Sequence, residues 1–248
     1  MSDIIIKICI YTIVVIFLGI LLIKRFLYFR PSRPFLPTTE SYKDVKNRHL
    51  HGWFLERSSD VPVILFCHGN TGNISHCQSK TNMLYNLGYS ILVFDYSGYG
   101  KSSGVPSEQQ LYDDGSIMMS LLLQTYPPDK IVLYGEAMGA AIATYVARRY
   151  RIPTLILDSP LPCISVIARK MLRKAKILAF PFNEFNVETY LMGYKGRTLM
   201  LHSVDDEVIP YNTTTSLQTL ADVVIPCTGT HASIELPLEE IKKFINLN

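Results

Sequence analysis

The chain has 248 residues, 48% of them hydrophobic and 18% charged, with a formal net charge of +3. That length fits one α/β domain with a short appendage rather than two full domains. The mild charge, with no basic stripe interleaved with aromatics, argues against nucleic-acid binding, and the five cysteines form neither a CxxC pair nor a Cys/His zinc spacing.

From Ile4 to Ile23 the sequence is apolar apart from Lys7, Tyr11, Thr12 and Gly19. A helix of about 20 residues matches the hydrocarbon thickness of a bilayer, so a single membrane-spanning anchor is expected over 4–23. A cleaved signal peptide would carry a shorter apolar region and a small-residue cleavage site. Here Lys24, Arg25, Phe26, Tyr28 and Arg30 follow instead. The excess of Lys and Arg after the helix, with Arg33, puts the rest of the chain on the cytoplasmic side. Two sequons, Asn73-Ile74-Ser75 and Asn212-Thr213-Thr214, argue for the lumen and leave that side open.

Residues 24–49 are polar, carry Pro31, Pro34 and Pro37, and read as a linker. From residue 50 to 248 short apolar runs alternate with longer helix-like stretches. The runs are Leu50–Leu55, Val61–Cys67, Ser90–Tyr96, Lys130–Tyr134, Thr154–Leu157, Thr198–His202 and Val223–Pro226. Several are nearly continuous in Val, Ile and Leu, as expected for strands covered on both faces of a parallel sheet. Gln109–Tyr126, Met138–Tyr150 and Leu238–Ile245 have helical length and spacing. The alternation predicts an α/β fold with a mostly parallel sheet and flanking helices. The interval 160–197 breaks the rhythm and mixes Arg169, Lys170, Arg173, Lys174 and Lys176 with apolar residues. It reads as a solvated helix, or as a short lid facing anionic headgroups.

Ligands of this fold bind beyond the carboxyl ends of the strands, so the strand ends are where chemistry is sought. After the second run comes His68-Gly69-Asn70-Thr71-Gly72-Asn73, a turn able to aim backbone N–H groups into a pocket. After the fourth comes Gly135-Glu136-Ala137-Met138-Gly139, a nucleophile elbow of the pattern G-x-S-x-G in which alanine stands at the serine position. Asp205-Asp206-Glu207 follows the sixth run and Gly229-Thr230-His231 the seventh. Elbow, acid, histidine is the chain order of the α/β-hydrolase triad. Ser159 and Cys163, just past a strand end, are the spare nucleophiles nearby.

The strings LFCHGNTGNISH, YNLGYSILVFDYSGYGKSSGVPSEQQLYDD, KIVLYGEAMGAAIA and LHSVDDEVIP with GTHAS resemble the membrane-anchored α/β-hydrolase-domain subfamily of serine hydrolases, over the chain from about Leu50 onward. Some of those relatives are protein depalmitoylases or lipases of lysophospholipids and acylglycerols. The resemblance implies Asp206 as the acid, His231 as the base, and the backbone N–H groups of Asn70 (or Thr71) and Met138 as the oxyanion hole. Ala137 occupies the nucleophile position, and a methyl group cannot attack a carbonyl. The resemblance and the substitution together imply a pseudohydrolase on a lipid bilayer that binds an acyl-lipid or acylated-protein ligand. The alternative is a working serine-type esterase, lipase or depalmitoylase. That reading needs Ala137 to be an introduced Ser→Ala change, another nucleophile, or a water activated by His231. Neither reading calls for a cofactor or a metal.

Overall fold

A computed structural model describes the backbone of residues 2–38, 42–165 and 185–247, with the side chains of 2, 3 and 20–27 excepted. Two compact units divide the chain, Met1–Arg30 and Pro31–Asn248.

The first unit is helix α1, Ser2–Tyr28. Its side chains from Ile4 to Leu18 are exposed, including Ile4, Ile13 and Phe17. Among the described residues no helix is long and apolar enough to cross a membrane, so the span expected over 4–23 is not shown. The side chains of 20–27, where the apolar stretch runs on to Ile23 in the sequence, lie outside the described residues.

The second unit is built on eight strands: β1 Lys43–Asn47, β2 Leu50–Leu55, β3 Val63–Cys67, β4 Ser90–Phe94, β5 Ile131–Glu136, β6 Thr154–Asp158, β7 Arg197–Ser203 and β8 Val223–Cys227. Their spatial order is β8-β7-β6-β5-β3-β4-β2-β1. Strands β3 to β8 are mutually parallel, while β2 runs antiparallel to β4 and to β1. The parallel strands are the apolar runs. β3 (VILFC), β4 (SILVF) and β6 (TLILD) are buried at every position, because helices cover both faces of the sheet.

Helix α2 (Gln78–Asn86) and helix α7 (Leu238–Ile245) contribute Leu84, Ile241, Phe244 and Ile245 to one core. Ile64, Phe66, Tyr134, Ile156 and Leu199 meet them from the sheet. Alternate strand residues face the other way, toward α3 (Glu108–Leu122) and α4 (Gly139–Tyr150), which pack on each other. Ser107 starts α3 by accepting the Gln110 N–H on its hydroxyl at 3.2 Å. Two shorter helices, α5 (Val187–Leu191) and α6 (Thr215–Leu220), complete the chain order.

The linker expected over 24–49 holds a strand. β1 pairs with β2 from Lys43↔Phe54 to Asn47↔Leu50 and closes the sheet edge. Its sequence KDVKN is largely exposed, as an edge strand tolerates, and so lacks the apolar signature that marks the others. The lid expected over 160–197 falls largely on 166–184, which lies outside the described residues.

Candidate active site

Five neighbouring parallel strands, β3, β5, β6, β7 and β8, deliver their carboxyl ends to one edge of the sheet. All the residues expected in the site follow those ends.

The turn after β5 is an elbow. Ala137 takes the left-handed conformation, φ 50°, which costs an L-residue roughly 1 kcal/mol or more. The flanking glycines permit it. A Cβ on Gly139 would overlap the Cys67 carbonyl, and one on Gly135 would lie 2.5 Å from the Ala140 Cα. The strained backbone is held by hydrogen bonds. Ala137 N–H donates to the Asp158 carbonyl at 2.9 Å, and its own carbonyl accepts the N–H groups of Ala140 (3.2 Å) and Leu161 (3.4 Å). Ala137 retains 9% exposure. The position thus has the left-handed backbone expected of an elbow and a methyl side chain.

The β3 turn lies against it. A Cβ on Gly69 would stand 3.7 Å from the Ala137 Cβ, so the loop bearing Asn70 reaches the elbow through a residue that needs no side chain. Tyr96 and Tyr99 fix this loop by donating to the carbonyls of His68 and Asn70, each at 2.9 Å. The Asn70 side chain accepts the Thr71 hydroxyl at 3.1 Å. Met138, buried, immediately precedes α4.

The residues expected as acid and base meet. His231 Nδ1 and Asp206 Oδ2 are 2.8 Å apart. The other carboxylate oxygen accepts the N–H groups of Val208 (2.9 Å) and Ile209 (2.7 Å). Burial pushes the Asp206 carboxyl upward, but hydrogen bonds from His202, His231 and Ile209 outweigh it and hold the group well below the usual carboxylate range. Burial pulls the His231 ring down, yet the Asp206 hydrogen bond and charge, with the more distant charges of Glu136 and Asp158, leave it raised above the ordinary imidazole value. Asp205 is exposed and does not approach this arrangement; its backbone N–H donates to the Ser203 hydroxyl.

Sequence reasoning passed over a second charged cluster behind the elbow. Lys80 of α2 places its ammonium 2.6 Å from Glu136 and 2.5 Å from Asp158. Asp158 also accepts from the Tyr134 hydroxyl (2.8 Å) and the Ser159 hydroxyl (3.1 Å). The register Glu136↔Asp158 across β5 and β6 makes these two carboxylates neighbours. The available signal was an acidic residue at each of two strand ends; the lysine that joins them is more than fifty positions away from either. Ser159 is itself left-handed, φ 48°, and 1% exposed. Its hydroxyl faces a carboxylate and not a histidine. Cys163 Sγ lies 3.0 Å from the Ser165 hydroxyl.

Comparison with known proteins fits this geometry. Residues 59–209 match the sequence family described as serine aminopeptidase, S33. The alpha/beta hydrolase domain-containing protein aho-3 of Caenorhabditis elegans is 30% identical over 75% of this chain and 58% of its own length. The uncharacterized protein YfhR of Escherichia coli K12 is 29% identical over 79% of this chain and 74% of its own. The chain therefore spans under two thirds of the first of these relatives. Among solved structures, an esterase of Pyrococcus furiosus superposes with a TM-score of 0.65 at 21% identity, over 87% of this chain and 94% of that one. An alpha-beta hydrolase of Vibrio vulnificus gives 0.64 at 23%, over 77% and 74%. At those identities the structures speak for the fold alone. Sheet order, elbow, chain order of the site and family match agree: the chain belongs to the α/β-hydrolase family.

Proposed function

We propose that this protein is a pseudohydrolase: it binds an acyl-lipid or acylated-protein ligand at the elbow and does not turn it over. One observation carries the reading. Ala137 sits at φ 50° between Gly135 and Gly139, where this fold presents its nucleophile, while Asp206 and His231 keep their 2.8 Å contact. The backbone N–H groups of Asn70 and Met138 would polarise the ligand's carbonyl. Alanine supplies no atom to acylate, and loss of a nucleophile costs a serine hydrolase about a million-fold in turnover. Neither spare nucleophile fits: Ser159 is enclosed against Asp158, and Cys163 faces a hydroxyl rather than a base. The membrane is the second half of the reading. The exposed apolar side chains of α1 and the Lys24, Arg25, Arg30 and Arg33 that follow them suit a tether with the hydrolase unit on the cytoplasmic side.

The test uses the unaltered chain and Ala137→Ser side by side, with a fluorophosphonate probe and with acyl-ester and palmitoyl-thioester substrates. Labelling and turnover are expected only after the serine is restored. Turnover above background by the unaltered chain sinks the proposal, and silence in both forms means the acid, base and oxyanion donors no longer act together.

A further inference from the structure

The Asp206 carboxylate has a second imidazole against it. His202, on β7, places Nε2 2.9 Å from the Ile209 carbonyl and 3.3 Å from Asp206 Oδ2, the same oxygen that faces His231. Its side chain is fully buried, and Nδ1 has no hydrogen-bond partner among the described residues. These facts fix its protonation. A carbonyl oxygen can only accept, so Nε2 carries the hydrogen and gives it to Ile209, with Asp206 Oδ2 also within 3.3 Å. A hydrogen on Nδ1 instead would be buried without an acceptor among the described residues. His202 is thus an Nε2–H donor.

We propose that His202 is a positioning residue for the acid–base pair: its shared Nε2–H locks the rotation of the Asp206 carboxylate, so that Oδ2 stays turned toward His231. The loop explains why a clamp is needed. Asp206 Oδ1 is held by the N–H groups of Val208 and Ile209, both on the same short turn. Unless something besides His231 anchors it from outside that turn, carboxylate and turn could swing together. His202 supplies one from the sheet by gripping both ends at once, the Asp206 carboxylate and the Ile209 carbonyl. The Tyr211 ring meets it edge-on at 5.6 Å. The charged and titratable groups that bear on the pair are Asp206, Glu207 (which accepts the His231 backbone N–H at 3.1 Å), Glu136 and Asp158, with Tyr211 beside His202. None but Asp206 can take the His202 hydrogen in place of Ile209.

The inference rests on the pair being assembled as the proposed function requires, and the experiment separates the two. In the full chain, nuclear magnetic resonance follows the Asp206 carboxyl carbon and both imidazoles against pH, with thermal melts as the folding control. The unaltered chain should show His202 as the Nε2–H tautomer across the neutral range. His202→Phe, which keeps a ring but donates nothing, should raise the Asp206 midpoint by about one pH unit, the loss of one hydrogen bond to a charged group. His202→Gln, whose amide can donate from nearly the same place, should restore most of that shift. A residue that merely fills space would give no such rescue. A folded His202→Phe with an unmoved midpoint overturns the proposal. So does an Nδ1–H tautomer in the unaltered chain, a measurement that stands even if the Phe variant fails to fold. If Asp206→Asn leaves the His231 midpoint unchanged, the pair itself is absent and the functional reading falls as well.

Discussion

At position 137 the backbone asks for a small side chain, and alanine meets that request. The φ of 50° is tolerable for alanine or serine and poor for a branched Cβ. Ala137→Ser should therefore leave stability within about 0.5 kcal/mol, while Ala137→Val should lower it by about 2 kcal/mol, read from urea midpoints at constant m. The acid–base pair makes a separate prediction through pH. Asp206 is depressed in the folded state, so its contribution is present above the unfolded value, near 3.9, and fades as pH falls through the folded one. His231 is raised, so its contribution is complete below about 6.5 and fades as pH rises through the folded midpoint. Both act fully between about pH 4 and 6.5. Asp206→Asn should cost most stability in that window, about 2 kcal/mol at pH 5, and clearly less at pH 9. An equal loss at both pH values would show that the two groups are not coupled.

Among the elements, α2, β5 and β6 are joined by charge as well as by apolar contact. Lys80 reaches from α2 to carboxylates at the ends of two adjacent strands, one of them wholly buried. Removing the cation leaves Asp158 uncompensated, and breaking such a pair from one side typically costs 3–5 kcal/mol. Lys80→Met should thus destabilise the hydrolase unit by about 3 kcal/mol and loosen the elbow, whose Ala137 N–H hangs on the Asp158 carbonyl. Chemical denaturation measures the first effect; amide exchange at Ala137 measures the second. The contrast also explains what could be read in advance. Strands such as β3, β4 and β6 were legible because burial at every position writes a nearly unbroken apolar run, and the elbow was legible because its two glycines stand at a fixed spacing around position 137. β1 was not, since an edge strand with exposed side chains reads like a linker. The Lys80 cluster and the His202 contact were not either. Each depends on register and on side chains meeting across the sheet, where a single lysine or histidine in the string carries no mark of its partner.

On the scale of the whole molecule, the elbow, the Asp206–His231 pair and the Lys80 cluster all belong to the unit Pro31–Asn248. The first unit meanwhile exposes Ile4, Ile5, Ile6, Ile8, Ile10 and Ile13 on α1. Water charges roughly 25 cal/mol for each Å² of such surface, so an interface that covers these side chains gains several kcal/mol. Attachment and site should therefore separate. A chain lacking residues 1–30 should melt within about 3 °C of the parent measured in detergent and should keep the Asp206-dependent shift of His231. It should also lose all flotation with neutral phosphatidylcholine vesicles, whereas the full chain floats even at high salt, because burial of apolar surface is not screened by ions as a basic patch would be. Flotation that survives the truncation, or that salt removes, would place the membrane contact in the hydrolase unit instead and assign it to charge.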